Sequence, residues 1–378
     1  MEIKEYHAGE YEERYEYKAF VPTPICHDWV ISDPRLGTLL GEADRAIGAL
    51  NAFAQLIPDI DFFIAMYVAK EATQSSRIEG TQTNIEDAFK AHTDLNPEDV
   101  DDWAEVQNYI KAINFAIGAL DDLPLSARLL RDTHGILLDG VRGAAKMPGA
   151  FRTSQNWIGV SLRDAVFVPP HHDRVPELMG DLEKFLHSTE IHVHPLIRIA
   201  IAHYQFETIH PFLDGNGRLG RLMISLFLAS ERLMAKPALY LSDYFERNKT
   251  AYVDHLMAVR QGNHMDQWLV FFIHGVVETA RASATAFQEI LALKAQIEAE
   301  ILPRFSSRRQ DNAQLVMRNL YGKPIVDVAL VKTWIDSTTN TASSLINDLV
   351  DYGVLTEITR QRRNRLFMFQ RYVDVFRS

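Results

Sequence analysis

The chain has 378 residues, 47% hydrophobic and 24% charged, with 19 Gly and 15 Pro; this profile excludes disordered and fibrous classes and suggests two to three domains at about 150 residues each. Its 39 basic and 50 acidic side chains give a formal net charge of -11, so no global field attracts nucleic acid and any such contact must be local. The longest apolar runs, at 222–229 and 268–273, fall short of the roughly 18 residues of a membrane span; six Glu in the first eighteen residues rule out a secretory signal, and the single cysteine, Cys26, fits a reducing compartment. A cytoplasmic protein without a membrane partner is therefore expected.

Residues 1–30, ending in the Pro-rich 21–24, read as an extended arm with no assigned function. Helical periodicity runs through 35–120, clearest at 39–53 and 61–75. Two short apolar runs, 157–160 and 165–168, are separated by a polar turn and bracketed by prolines, and predict a β-hairpin. Helices are predicted at 175–187, 195–209 and directly after Gly217, then at 248–260 and 266–303, the last broken near Gly275. The polar stretch 306–311 reads as a linker. Beyond it, 315–321, 326–335 and 341–352 predict short helices, and 354–359 and 366–369 strands around a basic turn.

Between the helices at 195–209 and after 217, the twelve residues 210–221 hold one base, one carboxylate, three glycines and two guanidiniums. Gly215 and Gly217 allow backbone N–H groups to converge on phosphate oxygens, and the following helix presents unpaired N–H groups and its positive dipole end. Arg218 and Arg221, three apart, add charge-assisted contacts. Asp214 is placed for a hard cation such as Mg²⁺. His210 can accept a hydroxyl proton beside a polarised phosphorus, and Pro211 is expected to hold it in an extended conformation. A Gly-Asn-Gly run alone is also a turn signal, and a helix-ending His also a cap; the whole set together carries the chemistry.

The segment resembles the Fic family signature HPFx(D/E)GNGRxxR, met at every specified position from His210 to Arg221. The resemblance implies transfer of AMP from ATP to a protein hydroxyl with Mg²⁺. His210 is then the general base, Phe212 the loop's core anchor, Asp214 the metal ligand, Gly215, Asn216 and Gly217 the phosphate cradle, Arg218 the α/β-phosphate contact and Arg221 the γ-phosphate contact. The implied ATP-binding set runs from Gly215 to Arg221, with Leu219 and Gly220, and adds Tyr252, in a stretch similar to the family's adenine cover. A kinase branch of the fold carries Lys at the position of Gly217, which disfavours that activity here.

Upstream, Ser75, Glu79 and Gly80 close a predicted helix with Ser75 and Glu79 one turn apart. Glu79 there opposes the helix dipole, so a fixed arginine partner would account for it; a solvated Glu before a Gly cap is the alternative. The segment resembles the family's inhibitory motif (S/T)xxxE(G/N), which implies that Glu79 pairs with Arg221 and inhibits the enzyme. In the family a flap hairpin docks the target backbone, implying that role for 157–168, and 149–152 resembles the GxFR segment before it. His192 and His194 lack further ligands, and His171 and His172 read as a solvated loop.

Residues 312–378 follow the order of a winged helix-turn-helix and resemble C-terminal modules of bacterial Fic proteins. The candidate recognition helix lacks Arg and Lys, whereas Arg360, Arg362, Arg363 and Arg365 form a local patch for DNA or an acidic protein partner. The expected architecture is mainly α: an N-terminal arm and inhibitory helical region at 1–110, a Fic-type helical core with a β-hairpin flap at 111–303, and a winged helix at 312–378. The expected function is an autoinhibited protein adenylyltransferase acting on Ser, Thr or Tyr of a target or of itself. The alternatives are a DNA-binding regulator whose core only senses nucleotide, and a Fic enzyme that removes AMP or uses another donor. A homodimer is implied by resemblance alone.

Overall fold

The computed structural model describes residues 1–378 except 15, 58–59, 235, 360, 362–363 and 378 and the side chains of 4 and 308. The N-terminal stretch is not a bare arm. β1 (Gly9–Glu13) and β2 (Lys18–Pro22) pair antiparallel with Tyr11 opposite Phe20, and the buried Phe20 donates its N–H to Val168 O at 2.9 Å. Burial does not alternate along these strands, since Ala19 and Phe20 are both buried while Tyr11 is exposed, so no strand period marks the hairpin in the sequence.

α1 (Pro34–Leu56) starts where Asp33 accepts from Arg35 N and Pro34 fixes the first helical φ. α2 (Ile60–Ile78) follows, then α3 (Val100–Ala119) and α4 (Ala127–Leu137), the last capped by Ser126. The predicted hairpin is present as β3 (Ile158–Gly159) and β4 (Ala165–Phe167). α5 (Val175–His187), α6 (Pro195–Ile209) and α7 (Asn216–Ser230) come next. α6 and α7 form the centre: from Ile199 to Ile209 every α6 residue is buried, including His203, Gln205, Glu207 and Thr208. His203, Thr208 and the Gln205 amide nitrogen find partners inside the protein, whereas Glu207 Oε1 is buried without one.

α8 (Ser242–Arg247), α9 (Lys249–Gly262) and α10 (Met265–Gln296) follow. Trp268 of α10 is fully buried and donates from Nε1 to Ala200 O of α6 at 2.9 Å. The expected break at Gly275 is absent, because α10 runs straight through it. A Cβ there would lie 2.6 Å from the Tyr244 ring, so this glycine serves a close approach of α8 to α10. α1 lies along α10, and α2 packs between α3, α8 and the C-terminal elements.

The stretch read as a linker is the first part of α11 (Ser307–Gly322). Its polar residues form the outer face of a helix whose inner face buries Ala313, Val316, Met317 and Leu320. β5 (Ile325–Val326), α12 (Val328–Trp334), α13 (Thr339–Asp351), β6 (Thr356–Glu357), β7 (Phe367–Met368) and α14 (Gln370–Asp374) follow, with the strands ordered β5-β7-β6. These elements share a core with α2: Phe63 lies 4.7 Å from the Tyr321 ring and Tyr67 5.0 Å from that of Phe376. In the basic turn Arg365 pairs with Glu357 at 2.6 Å; Arg360, Arg362 and Arg363 lie outside the described residues. Among the described residues no helix is long and apolar enough to cross a membrane.

Candidate active site

The site forms where α6 turns into α7. His210 is the left-handed cap of α6, at φ +49° and ψ +60°, its N–H donating to Phe206 O. This departs from the extended conformation expected before Pro211. The proline ring excludes the right-handed helical region for its neighbour, and the left-handed alternative is held from outside: Arg152 Nε and Asn156 Nδ2 donate to His210 O at 2.9 and 3.1 Å. Arg152, itself buried, also donates to Pro170 O and Ile209 O. One side chain thus ties the loop to the root of the β3–β4 flap. Burial, followed by Arg260 and Arg152, lowers the His210 imidazole to about 4, so it is neutral with a free lone pair at neutral pH.

The loop is stapled by its own residues. Asn216 accepts from Phe212 N and donates to Phe212 O, both at 2.8 Å, so its amide is used inside the loop and only its backbone N–H is left for the cradle. Phe212 is fully buried and stacks on His134 at 3.9 Å. His134 Nδ1 accepts from Gly149 N and its Nε2 donates to Asp214 O, each at 2.9 Å. Burial lowers this imidazole to about 4, consistent with the neutral tautomer. Gly215 takes φ +73° to open α7. Leu219 is fully buried and Gly220 faces Glu207 and Phe206, so neither lines the cleft.

Asp214 keeps a carboxylate 37% exposed, with Oδ1 accepting from Gly215 N at 2.6 Å. A Cβ at Gly143, which holds φ +93°, would lie 2.8 Å from Oδ2. One accessible hard carboxylate beside the N-terminus of α7 fits Mg²⁺, which binds through one or two carboxylates plus substrate phosphates.

Both arginines are held by carboxylates. Arg218 donates from Nη1 to Glu105 Oε2 of α3 at 2.9 Å, their side chains only 2% and 3% exposed. Arg142 reaches the other oxygen at 3.2 Å. Arg221 donates from Nε to Ser75 Oγ, and from Nη2 to Ser75 O and to Glu79 Oε1, at 2.9, 2.9 and 2.7 Å. Burial alone would lower the Arg221 pKa and raise that of Glu79; their mutual attraction reverses both. α2 ends at Ile78, so Glu79 sits one residue beyond the helix and Gly80 turns the chain away at φ +105°. A Cβ at Gly217 would collide with Glu79 Oε1, and one at Gly220 with Glu207 Oε1. Two glycines of one helical turn thus admit two carboxylates beside Arg221. Burial raises Glu207 to about 7.

The expected adenine contact is different. Tyr252 is 3% exposed, its hydroxyl lies 2.8 Å from His203 Nε2 and its ring stacks on Phe245 at 4.5 Å. The ring is enclosed in the α8–α9–α10 aromatic core and flanks no open cleft. The flap does present an open apolar edge: Val160 and Val166 are 92% and 66% exposed, while Phe167 turns inward under Arg260. Glu105, His134 and Glu207 were missed by sequence reasoning. Only Glu207, one turn before His210 on a helix with no polar face, carried a local signal.

Residues 38–118 match the model of the Fic/DOC family N-terminal region and residues 124–228 that of the Fic/DOC family. The chain is similar to the protein adenylyltransferase Fic of Drosophila erecta, 38% identical over 81 residues, which is 21% of this chain and 15% of that protein. It is also similar to the protein adenylyltransferase Fic of Aedes aegypti, 34% identical over 116 residues, 30% of this chain and 21% of that protein. The matched stretches thus span about a fifth or less of these relatives' own length. Among solved structures, a Fic family protein from Desulfovibrio desulfuricans G20 shares the fold with a TM-score of 0.56 at 20% identity, over 89% of this chain and 96% of that one. A variant fragment of Fic-1 from Caenorhabditis elegans gives 0.52 at 21% identity, over 70% and 75%. The chain is therefore a Fic-domain protein, with a Fic/DOC family N-terminal region followed by a Fic/DOC family domain.

Proposed function

We propose that this protein is an autoinhibited protein adenylyltransferase that moves AMP from ATP to a Ser, Thr or Tyr hydroxyl of a target protein or of itself. The observation that carries the reading is the convergence of His210, Asp214, Arg218 and Arg221 on the N-terminus of α7, with Glu79 2.7 Å from the Arg221 guanidinium.

The neutral His210 imidazole takes the proton of the incoming hydroxyl. The hydroxyl oxygen bonds to the α-phosphorus, the bond from that phosphorus to the bridging oxygen of the β-phosphate breaks, and pyrophosphate carries away the electron pair. The free N–H groups at the start of α7 and the Arg218 guanidinium hold the phosphate oxygens as charge shifts. Asp214 would hold Mg²⁺, which when bound supplies neutralising charge at the phosphates. The exposed edge of β3 and β4 suits pairing with an extended target segment.

Glu79 is the brake. While it and Ser75 occupy Arg221, that guanidinium is unavailable to the γ-phosphate, and an ATP bound without it lacks the anchor that aligns the α-phosphorus for in-line attack.

The test incubates wild type, Glu79→Gly and His210→Ala with Mg²⁺ and ATP labelled at the α- or γ-phosphate. Protein-bound α label, strongest in Glu79→Gly and absent in His210→Ala, is expected. Label from the γ-phosphate alone would make the protein a kinase, and equal transfer by wild type and Glu79→Gly would remove the brake.

A further inference from the structure

Outside the α7 site, the described residues contain one group of three His, Cys, Asp or Glu side chains whose ligating atoms all lie within 4.8 Å of one another: His171, His172 and Asp173. The group begins four residues after β4 ends, at the root of the flap. Its two imidazole rings face each other at a centroid distance of 4.0 Å. His171 Nδ1 is 3.0 Å from Asp173 Oδ2, and His172 Nε2 is 3.3 Å from Asp173 Oδ1.

His171 Nδ1 is buried, and despite its short distance to Asp173 the two make no hydrogen bond. The nitrogen and oxygen approach without the angle an N–H donor needs, as two ligand atoms do when they point at a common third position. Zinc bonds to imidazole nitrogen and carboxylate oxygen at about 2.0–2.2 Å, which places tetrahedral ligand atoms roughly 3.3 Å apart; each imidazole nitrogen stands near that spacing from one oxygen of the Asp173 carboxylate, His171 from Oδ2 and His172 from Oδ1.

The geometry points to a Zn²⁺ site at the root of the flap, with His171, His172 and Asp173 as ligands and a fourth position left open. The set is two nitrogens and one oxygen, which suits zinc and is wrong for Mg²⁺ or Ca²⁺, whose ligands are oxygens. Neutral imidazoles are required. The charges of Arg14 and Arg152 act on His172. Their charge opposes any cation, and selects one that forms strong bonds to nitrogen.

The consequence is positional. Pro170, next to the ligands, accepts from Arg152 Nη2, and Arg152 Nε holds the carbonyl of His210. A metal fixing 171–173 fastens the chain as it leaves β4 and stiffens the flap that Arg152 ties to the His210 loop.

The full chain, without any histidine tag, is dialysed against ZnCl₂ and its metal content measured, with excess Mg²⁺ in a second arm. About one zinc per chain, retained in Mg²⁺, is expected for wild type. His171→Ala and His172→Ala should each weaken binding about tenfold or more, since even second-shell changes at zinc sites cost that much. Asp173→Asn, at an exposed position that cannot unfold the protein, should weaken it as well, while Asp214→Ala leaves it unchanged. Amide exchange across 158–167 should slow when zinc is bound. No stoichiometric zinc in wild type, or zinc that survives both histidine substitutions, would overturn the proposal.

Discussion

Glu79 Oε1 accepts from Arg221 Nη2 at 2.7 Å over the one position, Gly217, where α7 can leave room for it. A Cβ at 217 would collide with that oxygen and lie 3.0 Å from Arg221 Nη1. The glycine in the first turn of α7 is therefore also the seat of the Glu79 carboxylate.

A double-mutant cycle follows from this contact. Gly217→Ala should destabilise the protein while Glu79 is present, because the methyl group displaces the carboxylate from its pair. With Glu79→Gly the carboxylate clash disappears and only the 3.0 Å approach to the flexible end of Arg221 remains, so with alanine's better helix propensity, about 1 kcal/mol, the same change should cost much less. The coupling measured by urea unfolding of the four proteins should be about 1–3 kcal/mol, as for residues in direct contact. Additive effects would mean that Glu79 is not held at Gly217 in solution.

Glu105 gives a second prediction. Its carboxylate and the Arg218 guanidinium are almost fully buried, and removing one partner of a buried pair leaves an uncompensated charge. Glu105→Ala should cost about 3–5 kcal/mol in unfolding free energy, while Glu105→Gln, which still accepts from Arg218 Nη1, should cost less. A loss of under about 1 kcal/mol would show that Arg218 finds Asp214, now 3.9 Å away, as its replacement.

What could be read in the chain beforehand was local. The α6–α7 loop is twelve consecutive residues, 210–221, and Ser75 and Glu79 stand four apart, so spacing alone brings their groups together. Glu105 and His134 reach the site from α3 and α4, and nothing in their own surroundings distinguishes them from surface residues. Pro211 acts locally and favours an extended His210, whereas Arg152, fifty-eight positions earlier, decides the turn. Gly275 looks like a breaker for the same reason: its partner, Tyr244, is on another helix. Helical and strand periods survived in α1, α5 and the flap, where one face is plainly apolar.

Stability should fall in acid for a traceable reason. Burial, the largest cause in each case, lowers His203 to about 3 and His134 and His210 to about 4, well below the ordinary histidine value. In the unfolded chain these groups bind protons near pH 6.5, so between that pH and about 4 the unfolded state holds more protons and stability drops as pH falls, by up to about 1.4 kcal/mol per unit for each group. Glu207 opposes this. Its folded pKa near 7 exceeds its unfolded value, so the stability it contributes is present at low pH and lost as pH rises towards 7. Glu207→Gln should therefore steepen the acid loss between pH 6.5 and 4.5 in urea titrations at fixed ionic strength. An unchanged slope would place its carboxylate in an ionised state throughout.

Arg152 should matter to the site more than its distance from the chemistry suggests. Its guanidinium, lowered to about 10 by burial, donates to the carbonyls of Ser154, Pro170, Ile209 and His210. Arg152→Ala leaves several buried carbonyls unpaired, at about 1–3 kcal/mol each, and releases both the left-handed turn at His210 and the flap root. Lysine cannot replace it, because a single ammonium does not span a fork of carbonyls. Both variants in the Glu79→Gly background should lose AMP transfer while still binding nucleotide at the α7 terminus, and Arg152→Ala should raise amide exchange at 158–167 and 210–214 together. Retained transfer with a loosened flap would separate the two roles, leaving Arg152 a strut for the flap and Asn156 alone holding the carbonyl of His210.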